Sequence, residues 1–246
     1  MALHPTAAQG ALLSIGGAAL VLLLRQGTLG GALAGAVVAL LSTAGFGAAA
    51  FGPLAVFVLS AGALTGIGRQ RKEALGAAER NRGQRGVSHV VAKLGLPAVF
   101  GAVALAGVAP HAAISVAYVA ALAGAFADTA ATELGPLGPR AAFLLRGFRA
   151  EAVPHGSPGA VSLAGLSAAV LASGTLAWSA LASGVLERAA FAWLASAAGF
   201  AAAFLESLLA AGAWGRRIGH FGRNLFVSVA AAAVALTAWA GGCCKP

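Results

Sequence analysis

The few acidic residues of this sequence mark the places where its side chains could take part in chemistry. Asp128 is the only aspartate, and Glu133 follows it with two threonines between them. Carboxylate and hydroxyl oxygens suit Mg²⁺, which usually completes its shell with phosphate oxygens. On a continuous helix the two carboxylates would point about 140° apart, whereas Gly135 and Pro136 could unwind the helix and bring them together. We therefore predict Asp128 and Glu133 as magnesium ligands, with a helix end at the water boundary as the alternative.

Glu206 lies inside a long apolar run of the sequence. An unpaired carboxylate near the middle of a bilayer would cost about 3 kcal/mol. Glu206 is therefore expected to face the interior of a helix bundle, where it is protonated, paired or metal-bound. We predict a role in substrate binding, against a buried structural hydrogen bond to a neighbouring helix.

A segment rich in proline, glycine and serine precedes another apolar run. A Gly/Ser turn at the start of a helix presents backbone N–H groups to an anion. An ordinary loop has the same composition, so both interpretations stay open. The residues predicted to shape an anion-binding turn are Pro154, Gly156, Ser157 and Gly159.

The densest cluster of cations lies between Arg69 and Lys93. Such a segment could simply bind anionic lipid headgroups. A phosphate-binding role is favoured because cations, carboxylates and the Gly/Ser turn are expected on the same membrane face. The sequence has neither a Walker-type phosphate loop nor a cluster of zinc ligands. The basic residues of this segment are Arg69, Arg71, Lys72, Arg80, Arg82, Arg85 and Lys93.

The composition predicts an integral membrane protein made of one domain, residues 1–246. Hydrophobic residues make up 59% of the chain and charged residues only 9%, whereas a soluble domain carries roughly a quarter charged residues. The net charge of +9 is interpreted as a signal of membrane orientation rather than of nucleic-acid binding. No nucleic-acid partner is therefore expected.

Hydropathy predicts an all-α polytopic bundle of about eight transmembrane helices. All Lys and Arg residues except Arg188 and Lys245 fall in alternate gaps between spans. This pattern predicts both termini outside and three cytoplasmic loops, 68–93, 128–158 and 213–223, in what we expect to be the cell inner membrane. Small residues four apart predict close helix packing, as at Ala120 and Gly124. The predicted spans are 8–24, 28–45, 50–67, 94–109, 111–127, 159–183, 189–212 and 224–242.

The order of three motifs resembles a known family. The motifs are Gln84-Arg85, the acidic segment from Asp128 to Pro136, and the segment from Val153 to Gly165. Together they are similar to the family called domain of unknown function 92, or transmembrane protein 19, over about Phe57 to Trp239. That family includes the plant phytyl-phosphate kinase of tocopherol salvage.

The resemblance implies a membrane kinase that uses a nucleoside triphosphate, with CTP as the expected donor. Its acceptor would be an isoprenyl monophosphate such as phytyl or geranylgeranyl phosphate, and its product the diphosphate. By position, Asp128 and Glu133 become catalytic and metal-site residues, and Arg85 a contact of the triphosphate. Arg82 and Arg223 would neutralise further phosphate charge. Mg²⁺ would bridge the donor phosphates, and the ionised acceptor oxygen would attack without a general base.

The sequence also departs from the family pattern. Gly86 stands where the family usually has asparagine, and Glu206 where it has aspartate. Residues 219–221 replace an Asp-Asn-Asn cluster, of which only Asn224 is left as a candidate substrate contact. Two other functions stay open at this point. One is a transporter or flippase of an anionic lipid, and the other is a membrane scaffold without catalytic activity.

Overall fold

The computed structural model describes residues 5–78, 83–139, 141–146 and 149–243. In this part of the chain the fold is a bundle of α-helices with one small β-hairpin. The helices are α1 (Pro5–Leu23), α2 (Leu29–Phe46), α3 (Phe51–Gly66), α4 (Arg69–Ala74), α5 (Val87–Ala106), α6 (His111–Leu134), α7 (Leu163–Ala182), α8 (Ala189–Ala211) and α9 (Ala213–Ala240).

The predicted polytopic helical membrane fold is confirmed. Within the described residues, seven helices are long and apolar enough to cross a membrane. The first predicted span corresponds to a shorter apolar helix, Ala8–Leu23 within α1. Large apolar side chains on the outer helices are exposed, as expected of surfaces that face lipid; they include Leu33, Leu105, Leu171 and Trp193.

Helix α6 is the centre of the bundle. Every residue from Ala113 to Ala130 is buried, and α3, α5, α7, α8 and α9 all pack against the helix. Its sequence is apolar on all sides, which is typical of a helix surrounded by other helices. Polar groups near its C-terminal end must therefore find partners inside the protein.

Three predicted boundaries differ from the structure. The span predicted at 94–109 is α5, which begins at Val87, so His89 and Lys93 lie on a helix rather than in a loop. The span predicted at 111–127 continues to Leu134. The loop predicted at 213–223 is the first part of α9, which has non-helical backbone angles at Gly219 (φ 63°, ψ −173°). Hydropathy identifies the apolar part of a helix, and charged residues can extend the same helix beyond it.

The segment predicted as the 128–158 loop also contains secondary structure. After α6, Gly135–Leu137 form a 3₁₀ turn. Strands β1 (Ala142–Arg146) and β2 (Arg149–Val153) then pair antiparallel. Phe143 exchanges two backbone hydrogen bonds of 2.8 Å with Val161. These bonds attach the hairpin to the segment that leads into α7.

Close helix contacts occur at one of the predicted small-residue pairs. A Cβ atom added at Gly124 would lie 3.1 Å from side-chain carbons of Val227 and Ala231 on α9. A Cβ at Gly199 on α8 would lie 2.8 Å from the Gly124 backbone nitrogen. Small residues therefore let α8 and α9 approach α6 directly.

We expect Gly199→Leu to lower the free energy of unfolding by about 1–3 kcal/mol, because the larger side chain would force α8 away from α6. Reversible unfolding in mixed detergent micelles would measure the change. Gly35→Leu is the matched control, since a Cβ at Gly35 meets nothing within 4 Å. Equal effects of the two substitutions would show that the α6–α8 contact is unimportant.

Candidate functional site

The buried charged side chains of the described residues gather at one end of the bundle, which we call the polar end. It is the end at which α3, α6 and α8 finish and α2, α5, α7 and α9 begin. Five charged residues are buried there although their surroundings are mostly apolar: Lys72, Lys93, Asp128, Glu133 and Glu206. Buried charges require paired partners, and the pairing defines the candidate site.

The first pair joins α5 to α6. Lys93 Nζ lies 2.7 Å from Asp128 Oδ2 and 2.8 Å from Thr129 Oγ1. The backbone carbonyl of Lys93 accepts a 3.1 Å hydrogen bond from Ser228 Oγ on α9. Asp128 is therefore paired with the Lys93 ammonium from α5, and the backbone of Lys93 is bound by Ser228 on α9.

The second pair lies one turn closer to the end of α6. Lys72 Nζ donates a short hydrogen bond to Glu133 Oε2, and it also donates to the backbone carbonyls of Leu64 (3.0 Å) and Thr65 (2.9 Å). Thr65 Oγ1 donates to Glu133 Oε1 at 2.6 Å. Both carboxylate oxygens of Glu133 and the Lys72 ammonium are thus hydrogen-bonded within the protein.

Arg85 connects the Lys72–Glu133 pair to the linker between α1 and α2. Its Nη2 atom donates to Thr65 Oγ1 at 3.0 Å. Its backbone bonds to both sides of the α1–α2 linker, at Gln26 (3.0 Å) and Thr28 (3.1 Å). A Cβ added at Gly31 would lie 2.1 Å from the Arg85 carbonyl oxygen, so glycine is needed where α2 passes this segment.

Glu206 on α8 pairs with a cation, which is one of the three states that the sequence leaves open. Its Oε1 atom lies 3.5 Å from Arg223 Nη1 on α9. Asp128 and Lys93 lie within electrostatic range of the same carboxylate. Glu206 is only about one and a half turns from the end of α8, so it belongs to the polar end rather than to the middle of the helix. Asn224 follows Arg223 on α9 and is half-buried.

In this arrangement Asp128 and Glu133 each pair with a lysine rather than with each other, and their proposed role as magnesium ligands stays a prediction. Helix α6 stays regular between them, so the two side chains point in different directions and bind different lysines. Gly135 and Pro136 lie beyond this stretch and do not unwind it. Among the described residues, no group of three or more His, Cys, Asp or Glu side chains could hold a metal ion.

The proline- and glycine-rich segment forms a packed turn. Gly159 has φ +79°, and a Cβ there would lie 2.4 Å from the Ala211 nitrogen at the end of α8. Gly156 has φ +87° and lies against Ala77. Glycine is therefore required for conformation at both positions and for contact with α8 at Gly159.

Several amides of this turn already have acceptors inside the chain. The N–H groups of Ser157 and Ala160 donate to Pro154 and Ser157 carbonyls, and the Ser157 hydroxyl donates to the Pro154 carbonyl at 2.8 Å. Ser162 caps α7 by accepting from the Gly165 nitrogen, and its hydroxyl donates to the Gly135 carbonyl. The turn thus ties α7 to α6 and α8, and its proposed contact with an anion stays a prediction.

The structure brings together most of the predicted site residues and adds others. Arg85, Asp128, Glu133, Glu206 and Arg223 all lie at the polar end, while Arg82 lies outside the described residues. The sequence analysis did not identify three residues that bind the predicted site residues: Thr65, Lys72 and Lys93. It placed Thr65 in an apolar span and both lysines in a solvated loop. A lysine next to an apolar run, as at Lys93, is a signal that could have identified one of them.

Comparisons with known proteins identify relatives of the chain. The model of a family described as "Integral membrane protein DUF92" matches residues 12–218. This match begins earlier than the predicted resemblance from Phe57 to Trp239 and ends before most of α9. An uncharacterized membrane protein, sll0875 of Synechocystis sp., is 38% identical over 117 residues. The aligned part is 47% of this chain and 44% of that relative, less than half of either. No solved structure is significantly similar.

Proposed function

This chain belongs to the integral membrane protein family DUF92, and on that premise we propose that it is a lipid-phosphate kinase. It transfers the γ-phosphoryl group of CTP to an isoprenyl monophosphate such as phytyl or geranylgeranyl phosphate. An acceptor phosphate oxygen forms the new bond to the γ-phosphorus, the bond to the β-phosphate oxygen breaks, and CDP leaves. The products are the isoprenyl diphosphate and CDP.

The observation that carries this proposal is the concentration of paired charges at one end of an apolar bundle. Four cations, Lys72, Lys93, Arg85 and Arg223, surround three carboxylates there. Phosphoryl transfer between two anionic substrates requires that the protein neutralise their phosphate charge and hold the two phosphates in line. It depends less on a nucleophilic side chain. A reaction with a water-soluble donor and a lipid acceptor also needs a site at the membrane boundary, and these groups lie together at one end of the apolar bundle.

In this proposal each side chain acts through the hydrogen bonds and ion pairs described above. Arg85 and Lys93 neutralise phosphate oxygens. Asp128 holds the Lys93 ammonium in position, and Glu133 holds Lys72 and Thr65, which in turn receives the Arg85 hydrogen bond. The acceptor oxygen is already ionised, so no residue has to remove a proton. Magnesium stays a prediction, and no step here depends on it.

Transfer of label from γ-labelled CTP to geranylgeranyl monophosphate by the purified protein in detergent would test the function. We expect labelled geranylgeranyl diphosphate, and no labelled product when geranylgeraniol replaces the monophosphate. The assay is run with and without Mg²⁺ and with each common nucleoside triphosphate. Absence of transfer under all these conditions would contradict the kinase and favour a transporter or a scaffold.

We further propose that the polar end faces the cytoplasm, because positively charged loops are retained on that side. With Cys243 and Cys244 replaced by serine, Gln70→Cys on α4 is expected to resist an impermeant maleimide in intact cells and to react after permeabilisation. Glu187→Cys, at the opposite end of the bundle, is the control and is expected to react from outside. Reversed labelling would overturn this orientation.

A further inference from the structure

The first part of α9, residues 213–225, carries a group of exposed large apolar side chains. It begins at the polar end of the bundle. A single exposed apolar side chain is ordinary, whereas several close together indicate a surface that contacts another molecule. The members of this group are Trp214 (68% exposed), Ile218, Phe221 and Leu225.

Two contacts with α8 hold this segment in place. A Cβ added at Gly215 would lie 2.4 Å from the Leu209 carbonyl oxygen and 2.5 Å from the Ala210 Cα. Glycine therefore lets the segment lie directly against the end of α8. Farther along, Arg223 contacts Glu206 on the same helix. The segment is thus attached to α8 at two points, while its large apolar side chains remain exposed.

The helix is interrupted within this segment. Gly219 has φ 63° and ψ −173°, and a positive φ is a conformation that residues with a Cβ rarely adopt. The backbone direction changes at this residue, so the turns before it need not follow the axis of the long helix after it. Trp214 and Ile218 lie before the break, and Phe221 and Leu225 after it. The exposed group therefore joins a short helical segment to the membrane-length part of α9.

The charged residues of the same segment are all basic. Arg217 and His220 are exposed there, and Arg216 precedes Arg217 in the sequence. No Asp or Glu follows Glu206 in the sequence, so α9 supplies no carboxylate to Arg217. A surface that combines this charge with exposed apolar side chains is complementary to a molecule with an anionic part and an apolar part.

This combination is typical of segments that lie among lipid headgroups. Tryptophan is enriched where headgroups meet acyl chains, and segments that bind anionic lipid surfaces combine arginine with Trp, Phe or Leu. Exposed apolar side chains continue along α9 at Val229 and Val234, in the part that is long and apolar enough to cross a membrane. The segment is therefore continuous with a surface that is expected to face acyl chains.

We propose that residues 213–225 bind anionic phospholipids of the leaflet at the polar end. Arg217 contacts the phosphate groups of these lipids, and Trp214 and Phe221 lie among the upper parts of their acyl chains. The inference is independent of the kinase, because it concerns the lipids that surround the protein and not a substrate. A second copy of the chain or a partner protein on this surface would instead shield Trp214 from lipid.

Quenching of Trp214 fluorescence by brominated lipids tests this contact. Trp178, Trp193 and Trp239 are replaced by phenylalanine, and the protein is placed in phosphatidylcholine nanodiscs with increasing fractions of a brominated lipid. We expect brominated phosphatidylglycerol to bind beside Trp214 about fivefold more strongly than brominated phosphatidylcholine. Equal quenching by the two lipids would overturn the preference for anionic lipid. Absence of quenching by either would overturn the lipid contact, because another protein surface would then cover Trp214.

A substitution at Arg217 connects the preference to this residue. Arg217→Gln is expected to lower the ratio of the two binding constants to about twofold or less. Arg25→Gln is the matched control, since Arg25 is an exposed arginine at the same end of the bundle, and it should leave the ratio unchanged. An unchanged ratio in Arg217→Gln, or an equal decrease in both variants, would contradict a specific contact of Arg217 with lipid phosphate.

The choice of salt separates a lipid phosphate from a free phosphate ion. Sodium chloride and sodium phosphate at equal ionic strength should lower the lipid preference to the same extent, because both act by screening the charge of Arg217. A much larger decrease in sodium phosphate would assign Arg217 to a free anion and overturn the lipid site.

Discussion

Replacing Arg85 with methionine is expected to reduce phosphoryl transfer about 100- to 1000-fold, the effect of removing one donor to developing transition-state charge. Methionine retains an apolar stem similar to that of arginine, and the backbone bonds of residue 85 to the α1–α2 linker do not depend on the side chain. Steady-state rates with CTP and geranylgeranyl monophosphate would measure the change. Because Arg85 is proposed to neutralise phosphate oxygens, we expect kcat to fall.

Arg25→Met is the matched control for Arg85→Met. Arg25 lies exposed at the same end of the bundle, so the substitution removes the same charge from the same face. Arg25→Met should change the transfer rate by no more than about twofold. It removes only a general attraction of anions, which salt screens at an exposed position. If both variants lose activity equally, Arg85 contributes surface charge alone and has no specific contact with phosphate. Arg85→Lys should retain only part of the wild-type transfer rate, because lysine lacks the planar set of N–H donors of arginine.

Replacing Lys93 with methionine is expected to lower the free energy of unfolding by about 3–5 kcal/mol. The substitution leaves the Asp128 carboxylate buried without its cation, since the Lys93–Asp128 pair lies almost entirely inside the protein. The cost comes mainly from the unpaired charge, and removing that charge should recover much of it. The double variant Lys93→Met/Asp128→Asn is therefore expected to be more stable than Lys93→Met alone. Unfolding in mixed detergent micelles would measure all three proteins.

An exposed ion pair at the same end provides the control for the Lys93 variants. Arg69 and Glu73 on α4 lie 2.7 Å apart, with side chains 37% and 52% exposed. Arg69→Met should cost less than about 1 kcal/mol, because water solvates the remaining carboxylate. A loss of stability in Lys93→Met as small as in Arg69→Met would contradict a structural role for the buried pair. No recovery in the double variant would show that Asp128 is not the reason for the loss.

Much of the candidate site could be predicted from local sequence. Asp128, Glu133 and Arg85 were identified by residue type and motif, and Glu206 by its position in an apolar run. The same evidence could not predict that Lys72 is buried, because a lysine in a charged segment between apolar runs usually remains in water. Nor could it predict the β-hairpin, whose strands of five residues each are too short to show a clear periodicity beside an all-helical pattern.

The sequence by itself determined the membrane class, the approximate spans and the collection of charge at one end of the bundle, because hydropathy and charge are properties of each segment alone. Only the tertiary structure decided which cation meets which carboxylate. Those pairings depend on how α3, α5 and α9 approach α6, and on the helix staying regular from Asp128 to Glu133. For that reason two acids expected to share one magnesium ion lie in separate lysine pairs.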